Sequence, residues 1–159
     1  MNIRITAASG IYMLRAEQEL HCDIETAWQY FSTPRNLQTL TPDNLGFEIT
    51  SGDEGEIYAG KIITYDLSIL PLIKTKWVTE ITQVADKRYF IDEQRKGPYA
   101  LWHHEHHFSA TESGVLMKDY VSYKLPLGGP GRWVAGKLIA NRLKEIFSFR
   151  YKELERIFA

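Results

Sequence analysis

Asp92-Glu93-Gln94-Arg95-Lys96-Gly97-Pro98-Tyr99-Ala100-Leu101-Trp102-His103-His104-Glu105-His106-His107-Phe108 sets the pattern that the rest of the chain continues. It holds four of the chain's five histidines, with a Gly-Pro turn signal ahead of them. Read with a period of two, Trp102, His104, His106 and Phe108 share one face, and His103, Glu105 and His107 share the other. Alternation of this kind is a strand. Its aromatic frame around two imidazoles either lines a polar spot inside a cavity or belongs to a core whose histidines are satisfied by neighbours.

The segments on either side repeat the pattern. Ser113-Gly114 turns the chain into 115–125, where Val115, Met117, Val121, Tyr123 and Leu125 oppose Leu116, Lys118, Tyr120, Ser122 and Lys124. Upstream, Asp86-Lys87 separates 89–94 from 74–84, and Pro71 punctuates the return from 61–70, which carries Ile63, Tyr65, Leu67 and Ile69 on one face. A strand at 47–51 precedes an acidic loop with Asp53, Glu54 and Glu56. Short turns between successive strands predict an antiparallel meander. Before it, 11–20 alternates as a first strand, Asp23 caps a short helix carrying Trp28 and Phe31, and Thr33-Pro34 opens a second through Leu37 and Leu40. Residues 1–10 read as a loose leader or an edge extension, with the domain proper at 11–159. After Gly128-Gly129-Pro130-Gly131 a long helix runs from Arg132 to about Phe158, with Ile139, Leu143, Ile146, Phe147, Leu154, Ile157 and Phe158 on one side.

This order predicts an α+β fold: a seven-stranded curved antiparallel sheet, two short helices after its first strand, and one long C-terminal helix over an internal cavity. Totals narrow the class further. At 159 residues the chain fits one domain, and a net charge of -1 with no basic stripe argues against nucleic acid as a partner. Cys22 stands alone, so no internal disulfide forms; a reducing, cytoplasmic setting is expected. No stretch nears the roughly 20 apolar residues of a membrane span. Gly-x-Gly-x-x-Gly, Walker A, Gly-x-Ser-x-Gly and Cys-x-x-Cys are all missing, so no cofactor is expected from a motif.

Five segments carry a resemblance: Pro34-Arg35-Asn36-Leu37, Phe90-Ile91-Asp92-Glu93-Gln94, Gly97-Pro98-Tyr99, Trp102-His103-His104-Glu105-His106 and Phe147-Ser148-Phe149-Arg150. With the order of elements, they make residues 11–158 resemble the SRPBCC superfamily, the helix-grip fold of START and Bet v 1-like proteins, in a bacterial branch described as ligand-binding or polyketide-cyclase-like. The resemblance implies a cavity that takes a small apolar or amphipathic molecule. It leaves two alternatives open: a cyclase- or dehydratase-type enzyme, and a regulatory or interaction domain. A monomer and a homodimer fit equally.

The candidate ligand-binding residues follow from the faces. Tyr65, Trp77, Trp102, Phe108 and Tyr123 supply an aromatic lining, which is equally what a plain core would use. His104 and His106 project together, a spacing that suits a metal, yet neither a second His-x-His pair nor a Cys cluster completes it; Asp92 or Asp119 would have to supply further ligands, and no metal is expected. Arg150 interrupts the apolar stripe of the last helix, between Ile146 and Leu154. It either turns inward to a carboxylate or ligand or runs out along the helix to water. Asp119 interrupts an apolar strand face in the same way, and Asp92 joins it if the loop at Gly97 is odd, which also brings Gln94 onto that face. In the enzyme alternative, His104 or His106 is the general base and Arg150 polarises a carbonyl.

Overall fold

Eight strands build one antiparallel sheet in the computed structural model, which describes residues 2–70, 73–126 and 129–159. They are β1 (Asn2–Ala8), β2 (Ile11–Leu20), β3 (Glu48–Ser51), β4 (Ile62–Leu70), β5 (Ile73–Ala85), β6 (Tyr89–Lys96), β7 (Leu101–Ala110) and β8 (Val115–Lys124). Their order across the sheet is β1-β2-β8-β7-β6-β5-β4-β3, so β3 to β8 form the expected meander and β2 closes onto β8. The turn expected at Pro71 and the glycine at 128 lie outside the described residues.

The eighth strand raises the expected count from seven, and makes residues 2–8 the edge extension of the two readings of this segment. Asn2 to Ala8 pairs with β2 from Asn2↔Glu17 to Ala8↔Ile11, turning at Ser9-Gly10. Ile3 and Ile5 pack against the interior cluster around Leu14 and Val121, which holds this edge in place. A pairing partner, rather than local propensity, makes this strand.

Between β2 and β3 lies α1 (Ile24–Phe31), capped as expected by Asp23, whose carboxylate accepts from the Thr26 amide at 2.8 Å. The second helix is a 3₁₀ turn, Pro34–Leu37, without a side-chain cap; Thr33 Oγ1 instead donates to Gln29 O. A further 3₁₀ turn, Asp43–Leu45, follows Thr41-Pro42.

The C-terminal helix α2 (Gly129–Ile157) starts slightly earlier than expected and runs about 43 Å at 1.5 Å per residue. Ile139, Leu143, Phe147 and Leu154 are buried on its inner side, and Phe158 just beyond it. Gly136 lets the helix approach the sheet: a Cβ there would meet Tyr12 Oη at 2.3 Å, and the Tyr12 ring is itself held by stacking on Tyr123. Among the described residues no helix is long and apolar enough to cross a membrane.

The interior divides into two apolar clusters. One gathers Trp28, Phe31, Phe90, Phe108, Val115, Met117 and Leu154, and the other Leu14, Trp77, Tyr99, Val121, Tyr123, Leu143 and Phe147. Along β7, β8 and α2 the same succession recurs: one cluster, then charged residues, then the other cluster. His104 and His106 fall between Trp102 and Phe108, Asp119 between Met117 and Val121, and Arg150 between Phe147 and Leu154. A single polar layer therefore crosses the interior from sheet to helix.

Candidate functional site

Between the sheet and α2 lies a cavity of about 190 Å³. Its sheet wall carries Ile63, Tyr65, Trp77, Thr79, Asp92, Trp102, His104 and His106. Leu143, Ile146, Phe147 and Arg150 close it from the helix, and Pro34, Leu37 and Leu45 from the two 3₁₀ turns, with Leu40 from the segment between them. The aromatic wall is tightly interlocked. Tyr65 stacks on Trp77 at 5.8 Å between centroids, Trp77 meets Trp102 edge-on at 5.2 Å, and Tyr99 lies 4.9 Å from Trp102. The Tyr65 hydroxyl is 2.9 Å from that of Thr79, whereas the indole nitrogen of Trp77 and the hydroxyl of Tyr99 are buried without a hydrogen-bond partner among the described residues.

The charged layer forms one side of this space. β6 and β7 pair with Asp92 opposite His104, and β7 and β8 with His106 opposite Asp119, so both carboxylates share the inward face with both imidazoles. His104 Nε2 and His106 Nδ1 each lie 2.9 Å from the same oxygen, Asp119 Oδ1. The remaining nitrogens turn to Asp92 Oδ2, His106 Nε2 at 2.9 Å and His104 Nδ1 at 3.5 Å. The rings stand 3.7 Å apart, and Phe90 stacks on His106 at 4.1 Å. Arg150 reaches in from α2: Nη2 is 3.6 Å from Asp119 Oδ1 and 3.5 Å from His106 Nδ1, and the guanidinium sits over the Phe31 and Phe147 rings. Its Nε is buried without a partner among the described residues. Asp92, His104 and His106 each offer one donor atom within 4.8 Å of the other two.

The electrostatics follow from burial and proximity. Burial works against the Asp119 carboxylate, but the Arg150 charge and the contacts with His104 and His106 outweigh it and hold its pKa well below the usual range. Asp92 is lowered in the same sense, burial being outweighed by His106, His104 and Arg150. The two imidazoles separate. Burial and the neighbouring His106 charge push His104 down, whereas for His106 the bonds with Asp119 and Asp92 overcome burial and push it up. Burial also raises the Tyr65 and Tyr99 phenols.

Of the residues expected at the site, Tyr65, Trp77, Asp92, Trp102, His104, His106 and Arg150 line the cavity. Four others are placed differently. Gln94 is spent on the Gly97 turn, donating through Nε2 to Tyr99 O at 2.7 Å and accepting from the Tyr99 amide at 3.1 Å. A Cβ at Gly97 would lie 2.3 Å from its Oε1, so the glycine makes room for that clamp. Phe108 belongs to the cluster around Trp28 and Phe31, 5.8 and 5.1 Å from them. Tyr123 stacks on Tyr12, and Asp119 lies behind the imidazoles instead of on the cavity wall. All four share the inward face, but their position along it takes them out of the cavity.

Sequence reasoning missed the rim. Leu37 and Leu40 were read as a helix face, and Leu45 and Phe47 were not singled out; their signal is apolar side chains in a segment rich in Pro, Thr and Asn. On the outer face, His103 Nδ1 is 2.8 Å from Glu93 and His107 Nε2 2.8 Å from Glu105, half-buried pairs apart from the cavity.

No protein-family profile matches the sequence, and neither does any curated protein. Solved structures do match. Protein Ms6760 from Mycobacterium smegmatis is similar over 99% of this chain and 96% of its own, with a TM-score of 0.68 at 15% identity. Protein CV1439 from Chromobacterium violaceum gives 0.69 at 11% identity over 92% of this chain and 96% of its own. Major latex-like protein 151 from Panax ginseng gives 0.67 at 12% identity over 94% of this chain and 99% of its own. At such identities the likeness concerns the fold alone: a curved antiparallel sheet gripping one long C-terminal helix, the Bet v 1-like arrangement.

Proposed function

We propose that the protein binds a small, predominantly apolar molecule between the sheet and α2, with a polar group of that molecule directed at Arg150 and the Asp92–histidine side. The observation carrying this reading is the cavity of about 190 Å³, walled mostly by aromatic and aliphatic side chains, with Thr33, Asn36, Thr41, Thr79 and the charged layer as its polar parts. The unpartnered N–H of Arg150 and the free donors on Trp77 and Tyr99 favour an occupant with oxygen acceptors. The resemblance to START and Bet v 1-like proteins points the same way.

A reading in which His104 or His106 acts as a free general base has less support. Each of their four ring nitrogens lies within 3.5 Å of a carboxylate oxygen, which leaves none turned to a substrate proton.

Trp77 and Trp102 line the cavity and report on it. Native mass spectrometry with solvent extraction, followed by titration with 1-anilinonaphthalene-8-sulfonate, tests the proposal. A co-purified apolar compound, or saturable one-to-one uptake of the dye that a folded Leu143→Trp variant loses, is the expected result. A protein that carries nothing and takes up no dye overturns it.

A further inference from the structure

We propose that Asp92 Oδ2, His104 Nδ1 and His106 Nε2 bind one divalent first-row transition ion, with Asp119 orienting both imidazoles from behind. Two edges of this triangle have suitable lengths, and the three donors lie within 4.8 Å of one another. Asp92 Oδ2 lies 2.9 Å from His106 Nε2 and 3.5 Å from His104 Nδ1. Bonds of about 2.0–2.1 Å to a tetrahedral ion place neighbouring donors about 3.3 Å apart, and both of these edges lie within a few tenths of an ångström of that.

The arrangement behind the triangle is independent support. A histidine that ligates a metal gives its second nitrogen to a carboxylate, which fixes the tautomer and the ring plane. Here one oxygen, Asp119 Oδ1, takes that role for both rings at 2.9 Å. Arg150 stands on this far side, 3.6 Å from Asp119 and next to the His106 nitrogen that faces away from Asp92.

The donor inventory leads to the same place. A neutral imidazole has one N–H. Ion binding requires the His106 proton on Nδ1, facing Asp119, instead of in the Nε2–Asp92 hydrogen bond; with His104 Nε2 also turned to Asp119, both remaining lone pairs then face the Asp92 side. Two imidazoles and one carboxylate favour zinc, ferrous iron or cobalt over magnesium or calcium. Three protein donors leave positions for water or a ligand oxygen, and the cavity borders all three residues. This site goes beyond the apolar-ligand reading and does not rest on it, since metal binding and dye uptake are measured separately.

The test is titration of the chelator-treated full chain with CoCl₂ and ZnCl₂. One equivalent of cobalt with visible d–d absorption is expected, together with a rise in Tm of about 5 °C at zinc concentrations 100-fold above Kd. Asp92→Asn and His104→Gln should each weaken binding at least tenfold, while a His103→Ala/His107→Ala pair on the outer face leaves it unchanged. Because the inner variants can fail to fold, nitrogen-15 shifts of the wild-type histidines give a second readout. Movement of His104 Nδ1 and His106 Nε2 on adding zinc supports the site. No binding below 1 mM zinc, or shifts confined to His103 and His107, overturns it.

Discussion

Replacing Arg150 by methionine keeps an unbranched, flexible stem and removes the charge, and the outcome is calculable. The guanidinium is nine-tenths buried, 3.6 Å from an equally buried Asp119 oxygen. At an effective dielectric constant of about 20 that attraction is about 4–5 kcal/mol. Methionine recovers some packing against Phe31 and Phe147, so a net loss of about 3 kcal/mol is expected, within the usual range for breaking a buried pair. For a chain of this length that lowers Tm by about 6–12 °C. Urea unfolding followed by circular dichroism, at unchanged slope, measures it. The double variant Arg150→Met/Asp119→Asn removes both charges and should lose less than the two single changes together, by about 2 kcal/mol. A single variant within about 0.5 kcal/mol of wild type, with additive effects in the double, would refute the account of a charged layer held together by Arg150.

Other consequences can be measured independently. Gln94→Ala removes both bonds to Tyr99 and should cost about 1–2 kcal/mol in urea unfolding, with raised amide exchange at residues 97–99. Gly136→Ala should lower Tm despite the better helix propensity of alanine, because its Cβ meets Tyr12, and Tyr12→Phe in the same chain should restore part of the loss. The pKa of the Tyr123 phenol is pushed up to about 12 by burial, and those of Tyr65 and Tyr99 are also raised. For an acid whose folded pKa is raised, the stabilising contribution is complete below about pH 10 and is lost as pH rises through the folded value. Absorbance at 295 nm should therefore show Tyr65 and Tyr99 un-ionised at pH 11 and then ionising together with unfolding; smooth titration of all nine tyrosines near pH 10 would contradict their burial.

Most of the architecture was legible because faces alternate. His-x-His on β7, the acid that breaks the apolar face of β8 and the arginine that breaks the stripe of α2 all pointed inward, and they meet there. Alternation reports which side of a sheet a residue occupies and says nothing of how far along that side the cavity extends. Phe108 and Tyr123 were expected in the cavity on that ground, yet neither lines it: Phe108 packs on Trp28 and Phe31, and Tyr123 on Tyr12. Gln94 escaped for another reason: the β5–β6 register shifts between Val78 and Thr79, and its amide is captured by a turn five residues on. β1 was not legible because its two isoleucines gain their worth from β2 and α2, partners that a local window does not contain. The 3₁₀ rim has no period to detect.

The polar layer also acts as an alignment key for the sheet. A slip of β7 by one residue would turn His104 and His106 to water and bring His103, Glu105 and His107 inside, facing apolar side chains. A slip of two would keep the correct face but set Asp92 or Asp119 against Trp102 or Phe108, a buried charge without a partner. Apolar layers alone tolerate such displacements, because one hydrophobic neighbour serves nearly as well as another. Two carboxylates and two imidazoles on three strands, answered by one arginine from α2, accept a single alignment. The group that faces the cavity thus also dictates which strand residues may stand opposite one another as the chain folds.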